Sequence, residues 1–190
     1  MFDEVCTSDR HEVGSENGVL DVTDECKKNC RSERAGIAGA KKLEQMHDEI
    51  RRGITAEVMA EFETYLGSNG FALSPTLKGK KATYKDLTIE LRPGTEAYFG
   101  AYHTFSLLMA GKEIYVKVLA KFSGDVERTP LINASELEKL ERELASIEKS
   151  LQGRQLEAYS FESALKVAGN QKPQFAKHES ITEVINHFSA

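Results

Sequence analysis

The chain has 190 residues, 25 of them lysine or arginine and 30 aspartate or glutamate, for a formal net charge of −5. Forty per cent of the residues are hydrophobic and 29% are charged, values of a folded globular chain and not of a disordered or collagen-like one. No run approaches the roughly 18–20 apolar residues of a membrane helix, and the opening MFDEVCTSDRHEV lacks the basic-then-apolar order of a signal peptide, so a cytoplasmic protein without membrane contact is expected.

Residues 1–23 are acidic, poor in aromatics and dotted with Gly and Ser, the composition of a flexible acidic arm. A helical segment over 24–70 follows. Thr23 or Asp24 can cap a first helix, which runs to Arg52 with Gly39, Leu43, Met46 and Ile50 on one face. The small stretch from Ala35 to Ala40 either admits another backbone closely or breaks the helix. Thr55 is expected to cap a second helix carrying Val58, Phe62, Tyr65 and Leu66 on one side, ended by Gly67 or Gly70.

From Phe71 the hydrophobic period changes to two, and residues 71–190 read as an antiparallel sheet with C-terminal helices. The segment TYKDLTIELR, 83–92, alternates as one half-buried strand, with Thr83, Leu87, Ile89 and Leu91 on its inner side. Segments 101–109 and 113–122 form a hairpin through Ala110-Gly111-Lys112, with Ile114, Val116 and Val118 facing inward. With a further strand at 71–77 the sheet is a meander of three to four strands. Ser135 opens a helix with Glu138 three residues on, a capping box. Its Leu137, Leu140, Leu144, Ile147 and Leu151 recur at spacings of 3 and 4, a seam of two heptads. That is short for a coiled coil; the seam serves to cover the sheet or to receive a partner helix. Residues 155–168 suit either helix or strand, and Ser180 with Glu183 caps a last helix. The fold class is therefore α+β: N-terminal helices, a central antiparallel meander and C-terminal covering helices.

Charge is unevenly spread. Residues 71–122 hold eight bases against four acids and are the only net-basic part, whereas residues 1–30 carry a net −5. Lys78, Lys80, Lys81 and Lys85 with Tyr84 form a basic, aromatic cluster that suits phosphates and unpaired bases. The same lysines also keep an exposed strand soluble. The three cysteines, an odd number without an export signal, do not form a disulfide framework. Cys6, His11, Cys26 and Cys30 supply four ligands for a tetrahedral zinc ion, although neither cysteine pair has C-x2-C spacing.

No phosphate-loop, dinucleotide-binding, nucleophile-elbow or HExxH pattern occurs, so no catalytic residues, no enzymatic activity and no cofactor other than zinc are expected. The remaining catalytic option is His103 with Tyr102 and Glu90. In element order and acidity the chain is similar to the acidic α/β chaperones of bacterial secretion systems, without a shared motif. Double-stranded RNA-binding domains also run helix, sheet, helix, but their second helix opens with lysines, where this one reads SELEKLERELASIEK. The expectation is a non-catalytic protein-binding module: a small acidic adaptor, chaperone or phage-type inhibitor that docks on a larger protein, or a homodimer, through the 137–151 seam. The alternative is a nucleic-acid-binding module using residues 78–85.

Overall fold

The computed structural model describes residues 19–94, 100–123, 135–166 and 173–189, with side chains from Arg31 onward. Its first element is a single helix, α1 (Val19–Ser68), 50 residues and about 75 Å long. The helix takes in residues 19–23 of the expected arm; residues 1–18 lie outside the described residues. It does not divide at Arg52-Gly53, and Thr55 is not a cap. The Thr55 hydroxyl instead donates to the Arg51 carbonyl at 2.8 Å, as a mid-helix threonine does. Gly53 costs about 1 kcal/mol relative to Ala, but Ile50 and Ile54 on either side of it join the core. Packing overrides propensity there.

Among the described residues the sheet has seven strands and not three to four. They are β1 (Ala72–Pro75), β2 (Lys80–Tyr84), β3 (Leu87–Pro93), β4 (His103–Met109), β5 (Lys112–Phe122), β6 (Leu156–Leu165) and β7 (Ala176–His178), antiparallel in chain order. The expected strand 83–92 is two strands, because Tyr84-Lys85-Asp86-Leu87 turns back with Lys85 at φ +50°. The turn reverses the expected sides in β2: Tyr84 lies on the inner face against Phe71, and Thr83 pairs with Thr88 on the outer one. The β4–β5 hairpin forms where expected, turning through Ala110 and Gly111, both at positive φ. Its alternation is also as expected, with Ile114, Val116 and Val118 buried. Within segment 155–168, Leu156–Leu165 form a strand, β6, paired with β5; residues 167–168 lie outside the described residues.

Between β5 and β6 the chain makes α2 (Glu136–Gly153), and it ends in α3 (Ile181–Ser189). Among the described residues the order is thus helix, five strands, helix, two strands, helix, which departs from the helix–meander–helix order of the secretion chaperones. The Ser135 capping box is present, with Ser135 Oγ accepting from the Glu138 N–H at 3.3 Å and Glu138 accepting from the Ser135 N–H at 2.9 Å. Ser180 caps α3 by accepting from the Glu183 N–H at 3.1 Å.

One core joins Ile54, Val58, Phe62 and Leu66 of α1 and Ile181, Val184 and Ile185 of α3 to the inner sheet face. Phe62, Phe105 and Phe161 are its largest fully buried side chains; truncating such a ring costs about 3–5 kcal/mol. The covering helices are therefore α1 and α3. The expectation that α2 covers the sheet is not met, since its seam packs on the first half of α1.

Candidate partner-binding site

No hydrophobic residue of α1 before Ile50 joins the core among the described residues. That half of the helix meets α2. Ser32 and Gly36 line one groove with Leu140, a Cβ on Gly39 would meet Ile147, and the Arg154 charge acts on His47, so the positions rise together and the helices run parallel. The approach is close: a Cβ on Gly39 would lie 2.8 Å from Ile147 Cγ2. The small stretch admits another backbone; it does not break the helix.

Leu137, Leu140, Leu144, Ile147 and Leu151 are each only half-buried, and Ser150 is the one fully buried residue of α2. Two helices lying side by side cover one stripe of each other and leave the flanks of that stripe wet. On one flank is a groove of about 360 Å³ lined by Ser32, Glu33, Gly36, Ile37, Ala40, Leu140, Glu143 and Leu144. Ile37 is 59% exposed at its edge. Among the described residues, the charged lining residues are both glutamates. Of the seam, Leu140 and Leu144 enter the groove. The α1 residues opposite them were legible only as a small-residue stretch.

The pair is anchored where it meets the sheet. The rings of His47, Tyr102 and Phe122 make mutual edge contacts at 5.0–5.9 Å. The Tyr102 hydroxyl lies 2.8 Å from His47 Nδ1. The Arg154 guanidinium, just past α2, caps the Phe122 ring at 4.5 Å. Burial first, then the charges of Arg154 and Arg51, hold the His47 pKa below its ordinary value, so a neutral ring is favoured here. Sequence patterning did not single out Phe122 or Arg154, because they meet only through the fold.

The basic cluster does not share a face. Lys80 pairs with Glu63 of α1 at 2.8 Å. Lys81 lies on the opposite, outer face, across from Glu90. Tyr84 stacks on Phe71, with Lys85 Nζ 5.4 Å from its centroid. Lys78, on the turn between β1 and β2, lines an outer recess with Lys81 and Arg92.

The catalytic option is also divided. His103 is on the inner face, edge-on to Phe105. Its Nε2 is 2.9 Å from Thr55 Oγ1; that hydroxyl already donates to Arg51, so the ring nitrogen donates to it. Burial, then the Arg51 charge, lowers the His103 pKa. Glu90 is on the outer face and takes two hydrogen bonds from Arg92, at 2.7 and 2.6 Å. His178 sits 2.8 Å from Ser163 Oγ, with both residues buried.

Cys6 and His11 lie outside the described residues. Cys26 and Cys30 belong to α1 as backbone alone. Among the described residues no group of three or more His, Cys, Asp or Glu could hold a metal, and no helix is long and apolar enough to cross a membrane. Comparison with protein-family models, curated proteins and solved structures yields no match.

Proposed function

We propose that the chain is a non-catalytic protein-binding module whose α1–α2 pair receives an amphipathic helix from a partner protein. The supporting observation is the groove between the helices, with Ile37, Leu140 and Leu144 apolar along it and Glu33 and Glu143 as its charges. A helix with a narrow apolar stripe fills such a groove. Bases flanking that stripe complement the two glutamates, and acids would be rejected. An adaptor, a chaperone and an inhibitor all use a surface of this kind, and none needs catalytic residues. The alternative nucleic-acid reading draws on residues 78–85, whose separation onto two faces gives it less support.

The test is fluorescence anisotropy with two designed helical peptides that share a leucine stripe and differ in carrying basic or acidic flanks. The basic-flanked peptide is expected to bind, and Ile37→Glu to weaken it by about tenfold or more. Ile37 is exposed, so this substitution leaves the fold intact. Equal binding of both peptides, or binding unmoved by Ile37→Glu, would contradict the proposal. So would a concentration-dependent dimer that buries Ile37 and excludes the peptide, since the occupant would then be a second copy.

A further inference from the structure

We infer that the recess beneath the β1–β2 turn binds the phosphate group of a small ligand. The recess holds about 500 Å³ and is lined by Thr76, Leu77, Lys78, Lys81, Glu90 and Arg92, a size within the range of small-molecule sites. The turn is pinned down on β3. Thr76 N–H donates to the Gly79 carbonyl at 2.9 Å, and a Cβ on Gly79 would fall 2.1 Å from the Leu91 carbonyl oxygen. Only glycine permits this approach, which brings Lys78 over the strand that carries Glu90 and Arg92.

Three cations face one carboxylate, two positive charges in excess. Glu90 is already neutralised: Arg92 grips it through Nε and Nη2, and its side chain is only 14% exposed. Arg92 holds that carboxyl below the usual range, with Lys81 a smaller cause. The third guanidinium nitrogen, Nη1, lies outside this grip and can donate to a ligand. Neither Lys78 nor Lys81 has an ion pair among the described residues. The buried Thr76 oxygen faces Glu90 without making a hydrogen bond of good geometry, so its hydroxyl can also turn to an incoming oxygen. Two excess charges with N–H and O–H donors around them match a phosphate dianion.

A polymer is disfavoured by what lies beyond the recess on the same face. Lys166 is paired with Glu113 at 3.0 Å, and Lys117 faces Glu162 and the Phe175 ring. The excess positive charge is therefore local and does not continue as a track along the outer face.

Inorganic pyrophosphate, titrated at low salt by isothermal calorimetry against the full chain, is the probe. Binding is expected, and the double variant Lys78→Ala/Lys81→Ala should weaken it by about tenfold or more. A control pair on other parts of the surface, Lys85→Ala/Lys121→Ala, should leave it unchanged. Thermal melts matching the parent chain establish that both variants are folded. No binding, binding indifferent to Lys78 and Lys81, or equal loss in both variants would overturn the inference. So would a single-stranded oligonucleotide that binds through these lysines where pyrophosphate does not. None of these outcomes depends on the helix groove.

Discussion

His47, His103 and His178 all have pKa values below the ordinary 6.5, and burial is the leading cause for each. Charges add to it: Arg154 and Arg51 at His47, Arg51 at His103, and His187 at His178. The sign follows from linkage. The unfolded chain takes up these protons near pH 6.5 while the fold resists them. Their contribution is thus complete above that pH and is lost as the pH falls below it. The pKa values of Glu90 and Glu113 are lowered as well, each held down first by a hydrogen bond from a cationic partner, Arg92 and Lys166. Their contribution disappears only at lower pH, below the ordinary 4.5. Urea midpoints should therefore fall between about pH 7 and pH 5, ahead of any carboxylate titration. His47→Gln/His103→Gln should flatten that fall. An equal slope in the variant would refute the assignment. These shifts were not legible in the sequence, where the five histidines are scattered; His47 and Phe122 are far apart in the chain and meet only because α1 crosses the end of the β4–β5 hairpin.

At the scale of elements, glycines in α1 separate local propensity from packing. A Cβ on Gly53 would meet nothing within 4 Å, whereas one on Gly39 meets Ile147. Gly53→Ala should accordingly raise stability by about 0.5–1 kcal/mol. Gly39→Ala should forfeit that gain, because Ile147 and with it α2 must shift. Thermal denaturation of the two single variants checks this, and an equal gain at both sites would show that the helices do not touch there. The caps of α2 and α3 were legible because Ser135 with Glu138 and Ser180 with Glu183 are local chemistry. The turn at Lys85 was not, since Lys-Asp lacks the Asn-Gly signature of a tight hairpin and its flanks alternate as one strand would. Segment 155–168 was ambiguous: Leu156, Phe161 and Leu165 suit a helix and LEAYSF suits a short strand, until β5 is there to pair with.

For the whole molecule, the sheet was legible where alternation is strong, from Leu87 to Phe122, and its meander order follows from successive antiparallel pairing. The placement of α2 was not. A stripe of Leu137, Leu140, Leu144, Ile147 and Leu151 has the same spacing whether it covers a sheet or a helix. What decides is space: α1 beyond His47 and α3 already cover the inner sheet face, and the small residues of the first half of α1 accept the leucines. This leaves the seam half-buried, with a groove whose flank carries two acids and no base among the described residues. The most direct test of this surface as a docking site for a basic amphipathic helix is its specificity after charge reversal. Glu33→Lys/Glu143→Lys should exchange the preference of the groove from the basic-flanked to the acidic-flanked peptide in anisotropy titrations. An unchanged preference, or loss of both peptides in a variant that melts like the parent chain, would contradict it.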